Sequence, residues 1–311
     1  MLSTLKPVLA AADKGRYAVP AFNINNLEIV RSVIEAAVEA RSPVIIQTSE
    51  GAVEYAGMDY LVAMARVAAK APVPVVFHLD HGKDLAVIKK AIMSGYTSVM
   101  HDGSTLPYAE NVKKTKQVVA WARKKKVSVE AELGAIKGIE DLVSVSEKEA
   151  FFTDPVQAVD FVKKTGCDAL AVSIGTAHGM KKSKATPELD IDRLAKIDAA
   201  VKVPLVLHGA SGISPELVER TKNACSLLGD CARLENAVGI PDAEIARAIA
   251  NGIRKINIDS DLRIAFMAGV RETIMTDKKA TDPRKLLALS MKLMKEVALH
   301  KMELFGSKGK A

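Results

Sequence analysis

The chain has 311 residues, of which 49% are hydrophobic and 26% charged, and a formal net charge of +7. That composition suits a globular protein with a large core and excludes a disordered or low-complexity chain. The basic residues are dispersed and aromatics make up only 4%, which excludes a stacking platform for nucleic acid.

Short β-rich runs then alternate with amphipathic stretches from end to end. The pattern predicts strands over 17–22, 43–48, 73–79, 97–101, 127–132, 169–174, 203–207 and 253–258. Several are apolar on both faces, such as Val44-Ile45-Ile46 and Leu205-Val206-Leu207, as parallel strands covered on both sides should be. Between them lie helical stretches. Leu27 to Ala40 offers Ile29, Val33, Ile34, Ala37 and Val38 as its apolar face, and Asp154 to Thr165 offers Val156, Val159, Phe161 and Val162. Eight strand–helix units predict a closed (β/α)8 barrel, a TIM barrel, as a single domain over 1–311. An open doubly wound sheet is the alternative, but Asn23-Ile24-Asn25-Asn26 after the first strand carries no glycine fingerprint. Residues 212–240 form an extended loop after strand seven, with a helix start at Ser214-Pro215-Glu216. A C-terminal helix is predicted over 283–305, opened by Asp282-Pro283. Its apolar positions exceed one face, which suggests packing against another subunit. The tail Gly306 to Lys310 is expected to be mobile.

Barrels of this kind collect their chemistry at the C-terminal strand ends. Those ends read Asn23, Ser49, Asp80-His81, Asp102, Glu132, His178, His208 and Asn257 to Asp259. One such residue is more often a helix cap or a satisfied core group. Eight converging on one mouth point to a site. His81, His178 and His208 are imidazoles suited to zinc or another borderline metal, and three protein ligands leave a position open for substrate. Glu132 can add an oxygen, and Asp102 can bind a second metal or orient a ligand. By strand alternation Asp80 should project away from His81 and be free for proton transfer. His78, three before His81, should also face away from it and be structural. The glycine turns Gly175 to Gly179 and His208 to Gly212, with Asn257-Ile258-Asp259-Ser260 opening a helix, fit the phosphate cradle of such barrels, with Lys182 adding charge.

No apolar run could span a bilayer, and the N-terminus lacks a signal-peptide core. The cysteines Cys167, Cys225 and Cys231 are odd in number and form no C-x-x-C pair. A cytoplasmic protein without a membrane or nucleic-acid partner is therefore expected.

Seven motifs in order resemble the class II, metal-dependent ketose-bisphosphate aldolases, in particular those acting on fructose 1,6-bisphosphate. They are Pro20-Ala21-Phe22-Asn23, Leu79-Asp80-His81-Gly82, Val129-Glu130-Ala131-Glu132-Leu133-Gly134, Gly138-Ile139-Glu140-Asp141, Gly175-Thr176-Ala177-His178-Gly179, Leu207-His208-Gly209-Ala210-Ser211 and Ile256-Asn257-Ile258-Asp259. The resemblance implies a glycolytic lyase with a catalytic zinc on His81, His178 and His208. It implies Glu132 as a ligand that lets go when substrate arrives, and a second zinc at Asp102 and Glu132. It implies Asp80 as acid/base at the C4 hydroxyl and Glu140, on a mobile loop after strand five, as the base at C3. Gly179, Lys182, Gly209, Ala210, Ser211, Asn257, Ile258, Asp259 and Ser260 would line the dihydroxyacetone phosphate pocket. Asn23 and Ser49 would meet the rest of the substrate, and Arg284 the second phosphate, from a neighbouring subunit. A sodium or potassium ion near Gly179 and Gly209, a phosphorylated sugar substrate, and a homodimer or homotetramer complete what the resemblance implies. Two positions depart from the family: Lys181, where an aromatic residue is common, and Lys83 after Asp80-His81-Gly82.

Three rivals are weighed. The long 212–240 segment and the ending Leu304-Phe305-Gly306-Ser307 favour fructose bisphosphate over tagatose 1,6-bisphosphate. A Schiff-base mechanism on Lys255 would leave the three histidines unexplained, and alternation is expected to turn Lys255 from the mouth. A non-enzymatic binding scaffold would give no reason for Asp80 beside a metal mouth.

Overall fold

The computed structural model describes residues 2–134, 137–140, 143–145, 152–178, 188–212, 214–228 and 239–311. Eight barrel strands run in chain order: β1 Val19–Asn23, β2 Val44–Thr48, β3 Val75–Gly82, β4 Ser98–His101, β5 Ser128–Leu133, β6 Ala169–Val172, β7 Leu205–Leu207 and β8 Ile253–Ile258. Every neighbouring pair is parallel. β8 pairs with β1 and β3 with β4, so the sheet closes into a TIM barrel. Each predicted strand lies within a few residues of an observed one.

Alternation along these strands sorts the side chains into two sets. Val44, Ile46, Phe77, Leu79, Val129, Leu170, Leu205 and Ile256 face outward and pack, fully or almost fully buried, under the helices. Val19, Ala21, Ile45, Val76, Met100, Ala169, Ala171 and Val206 face inward and form a second cluster with Leu5, Val8, Leu9 and Ala12. The last four are the buried stripe of the helix Leu5–Gly15, spaced three to four residues apart as one helix face requires. This helix closes the bottom of the barrel: Lys6 N donates to Ser128 Oγ at 3.0 Å, at the start of β5.

The outer helices match the expectation in place but not always in face. In Leu27–Ala40 the buried residues are Ile29, Val30, Ser32, Val33, Ala36, Ala37 and Ala40, while Val38 is exposed. In Pro155–Thr165 the buried positions are Ala158, Phe161 and Thr165. Val156 and Val159 are exposed, because only the 158/161/165 stripe meets the barrel. The segment after β7 carries the helix Pro215–Leu228; 213 and 229–238 lie outside the described residues.

The C-terminal helix is two pieces, Pro283–Leu286 and Ala288–Leu304. The longer piece packs on Leu27–Ala40 and on Ser260–Thr276 of its own chain. Leu293, Met294, Ala298 and Met302 are buried there, and Leu289, Met291 and Val297 pack partly buried against the core, so contacts within the subunit account for much of the apolar surface that suggested a partner. The tail is also not loose. Ser307 is fully buried, its Oγ lies 2.8 Å from Ser42 Oγ, and Gly309 N and Ala311 N donate to Ala40 O and Arg41 O.

Candidate active site at the barrel mouth

The upper barrel interior is polar. Asn23, Gln47, His78, Asp80, Glu130, Glu132, Lys255 and Asn257 continue the inward-facing rows above the apolar layer, and all but Asn23 are at most 4% exposed. Asp80 sits at the centre. Its Oδ2 accepts from Asn23 Nδ2 and Gln47 Nε2, both at 3.0 Å, and its Oδ1 accepts from Asn257 Nδ2 at 2.9 Å. Gln47 Nε2 also donates to Asn23 Oδ1 at 2.7 Å. Three amides on three strands therefore fix the rotamer of one carboxylate.

The expected divergence of Asp80 and His81 is overturned. Between Leu79 and Gly82, β3 spends one residue more than β4 does between Val99 and His101, a β-bulge. His81 takes φ 46°, a left-handed conformation that disfavours a side chain with a Cβ and is found at functional sites. The bulge turns His81 back to the mouth, and ligand atoms of Asp80, His81 and His208 lie within 4.8 Å of one another. A second set, His81, Asp102 and Glu132, meets the same limit.

The donors are wired to carboxylates. His81 Nδ1 lies 2.9 Å from Asp102 Oδ2 and 3.9 Å from Glu132 Oε2. His208 Nε2 lies 2.9 Å from Glu130 Oε1, and its Nδ1 is 3.3 Å from Glu132 Oε2. Asp102 is itself held by the Ser104 backbone N–H and hydroxyl, at 3.1 and 2.7 Å. Burial works against charging either imidazole. The Asp80, Asp102 and Glu132 carboxylates nevertheless hold the His81 pKa well above its ordinary value, and Glu130 with Glu132 lifts His208 to about 9. Burial would raise Asp102, but the hydrogen bond and charge of His81 hold it well below the usual carboxylate range.

This cluster fits a divalent cation. It is a buried, carboxylate-rich field that draws protons onto its imidazoles, and a metal would replace those protons. Glu132 Oε2 is buried and makes no hydrogen bond, as suits a ligand oxygen. Asp102 on His81 and Glu130 on His208 stand as carboxylates behind imidazole ligands, which orient such rings.

Below lies a group that strand-end reasoning did not single out. Lys255 Nζ is 2.9 Å from Glu130 Oε2 and 2.7 Å from Asn257 Oδ1, with both members of the ion pair fully buried. Lys255 thus points into the barrel, against the expectation, but it is bound to a carboxylate rather than presented as a nucleophile. His78, expected to face away from His81, points into the barrel in the same inward row as Asp80, its Nδ1 2.8 Å from Ser98 Oγ. Burial and the nearby Lys255 charge push its pKa down to about 3.

The remaining predicted residues divide. Ser49 caps the helix Glu50–Ala56, its Oγ accepting from Ala52 N. Ser211, Asp259 and Ser260 are buried around the mouth, and Gly209 takes φ 61°, where glycine is favoured. Asp259 pairs with Arg263, Nε to Oδ2 at 2.8 Å, a partner the strand-end list omitted but the i,i+4 spacing could have supplied. The Ile258 and Ala210 side chains belong to the outward apolar cluster, so only their backbone can serve the mouth. Arg284 is not brought to this chain's mouth: its side chain is 89% exposed and bound to Asp282. The backbone of Glu140, on the segment after β5, lies in a strand, Lys137–Glu140, paired antiparallel with Val143–Val145. That strand also pairs with Ala177–His178, Gly138 opposite His178, so the two backbones meet on one small sheet. The side chains of Glu140 and His178, and all of Gly179 and Lys182, lie outside the described residues.

A family model described as fructose-bisphosphate aldolase class-II matches residues 3–310. The chain belongs to that family. It is 47% identical to a fructose-bisphosphate aldolase of Thermus caldophilus over 311 residues, covering all of both chains. It is 42% identical to one of Helicobacter pylori, again over all of both chains. Among solved structures it resembles the YdjI aldolase from Escherichia coli K12, with 36% identity, TM-score 0.80 and full coverage of both chains. A putative fructose-1,6-bisphosphate aldolase from Coccidioides immitis gives 29% identity and TM-score 0.79, over 98% of this chain and 96% of that one. The protein is thus a metal-dependent aldolase, a lyase, and its family implies a phosphorylated sugar substrate. Among the described residues no helix is long and apolar enough to cross a membrane.

Proposed function

We propose that this aldolase reversibly cleaves fructose 1,6-bisphosphate to dihydroxyacetone phosphate and glyceraldehyde 3-phosphate, a step of glycolysis and gluconeogenesis, in the cytoplasm. The observation that carries the reading is the Asp80 carboxylate, held by three amides beside His81 and His208. Zinc held by His81, His178 and His208, with Glu132, would supply Lewis-acid polarisation of the substrate carbonyl. Asp102 and Glu132 would hold a second zinc, and a sodium or potassium ion near Gly179 and Gly209 belongs to the same reading.

The chain's own groups divide the remaining work. Asp80 takes the C4 hydroxyl proton in cleavage and returns it in condensation, and its amide cage holds it in line for both directions. Glu140 moves the proton at C3. Gly179, Lys182, Gly209, Ser211, Asn257, Asp259 and Ser260, with backbone at Ala210 and Ile258, receive the dihydroxyacetone phosphate half. Asn23 and Ser49 face the aldehyde half, and Arg284 of a neighbouring copy the second phosphate. A homo-oligomer, dimer or tetramer, is supported by the exposed apolar side chains Tyr55, Tyr60 and Val67 on two adjoining helices.

The test is initial-rate cleavage of fructose 1,6-bisphosphate and tagatose 1,6-bisphosphate in parallel. A kcat/KM higher for fructose bisphosphate is expected. Preference for the tagatose sugar would keep the mechanism and overturn the substrate, and turnover of neither would overturn both.

A further inference from the structure

We infer that Lys301, with Asp261, is a positioning residue that locks together the two halves of the phosphate cradle. This rests on the function proposed above. One half of the cradle is the turn after β7, Gly209 to Gly212. The other is the start of the helix Ser260–Thr276, with Asp259 at its N-cap position. The two halves are about 50 residues apart in sequence, and neither belongs to the C-terminal helix.

Lys301 comes from that helix, Ala288–Leu304, and reaches both halves at once. Its Nζ donates to Gly212 O at 2.8 Å and pairs with Asp261 Oδ1 at 3.1 Å. The two side chains are 4% and 2% exposed. Gly212 is shaped to the contact, since a Cβ there would stand 3.0 Å from Lys301 Nζ and 2.9 Å from Ile240 O. Beside the pair lies a cavity of about 340 Å³ lined by Gly212, Asp261 and Lys301 among others, so solid packing does not do the holding on that side. Besides Lys301, the turn has a backbone tie, Ile240 N to Ser211 O at 3.0 Å.

A buried ion pair is a weak source of stability, because desolvation offsets most of the attraction. What it supplies here is distance and direction. It sets the turn's carbonyl against the first turn of the helix, and so sets how far apart the N–H groups of the two halves sit. A phosphate bridging both halves senses that spacing, whereas the aldehyde half of the substrate does not.

The variants are Lys301→Met, Asp261→Asn and the double variant, which leaves no unpaired buried charge should a single one fold poorly. In the condensation direction, KM for dihydroxyacetone phosphate is expected to rise about tenfold, the equivalent of about 1.4 kcal/mol. KM for glyceraldehyde 3-phosphate and kcat per folded enzyme should stay within about twofold. Inorganic phosphate, titrated by calorimetry into the metal-loaded enzyme, should bind about tenfold more weakly. A pair serving stability alone would lower the melting temperature and leave both KM values and the phosphate affinity unchanged, which would overturn the inference. So would an equal rise in both KM values. If the wild type turned over no bisphosphate, the proposed function would fail while the phosphate titration still judged the pair. Unchanged affinity in the variants, or no phosphate binding by the wild type, would then overturn it.

Discussion

The lower and upper layers of the barrel interior draw on largely the same strands, yet they share almost no chemistry. Below, Val19, Ala21, Ile45, Val76, Met100, Ala169, Ala171 and Val206 meet the Leu5, Val8, Leu9 and Ala12 stripe of the closing helix. Above, one inward position further along, stand Asn23, Gln47, His78, Ser173 and His208, joined by Glu130 from β5 and Asn257 from β8, with hydrogen bonds centred on Asp80 and Glu130 and Glu132 Oε2 3.3 Å from His208 Nδ1. The lower layer gains from removing apolar area from water. The upper layer costs desolvation that its internal pairs only offset. A strand of this barrel thus changes task within two residues, and the change marks where the scaffold ends and the site begins.

The sharpest way to break this contrast is at Asp80. Asp80→Ala should lower kcat by about 10²–10⁴-fold, the usual worth of a positioned acid/base. The fold should survive, as judged by circular dichroism. Unchanged kcat would remove Asp80 from the chemistry.

Next come paired substitutions, one in each layer. Leu9→Ala should cost about 2–5 kcal/mol of stability, as large-to-small core changes do, while kcat and KM of the folded enzyme stay at wild-type values. Lys255→Met should cost about 3–5 kcal/mol, because buried Glu130 loses its lysine partner and keeps only its imidazole contacts, and should also disturb His208 through Glu130. Urea unfolding with steady-state kinetics on both variants separates the layers. Activity loss in Leu9→Ala would erase the distinction.

Asp102→Asn should weaken metal binding about 10–100-fold by removing the carboxylate behind His81, read by competition with a chelating dye. Affinity equal to wild type would show that Asp102 orients nothing.

The smallest expected effect is on pH. In the metal-free protein the His208 pKa, lifted to about 9 from an ordinary 6.5, contributes stability that is complete below 6.5 and lost as pH climbs through 9. Asp102, held low, contributes in the opposite sense, its share disappearing only in strong acid. Metal-free melting temperature should therefore fall between pH 6.5 and 9, and bound metal should flatten that slope by taking the protons' place. A metal-free protein with no such fall would contradict the electrostatic picture of the mouth.

The strands and their polar ends were legible because parallel barrel strands are apolar on both faces until they reach the mouth. Three features were not. The convergence of Asp80 and His81 depends on a bulge and a positive φ, which strict alternation cannot foresee. The Glu130–Lys255 pair joins strands three places apart around the barrel, so no local pattern links them. Val156 and Val159 look like core on a helical wheel but face solvent, because an outer helix needs only one stripe against the sheet. The C-terminal helix misled in the other direction: much of its broad apolar surface meets two helices of its own chain.

The most direct test of a metal-dependent mouth is fructose 1,6-bisphosphate cleavage by the purified enzyme before EDTA, after complete metal removal, and after zinc is restored. Activity abolished by removal and recovered with zinc is the predicted result. Full activity in protein shown by elemental analysis to hold no metal would contradict it.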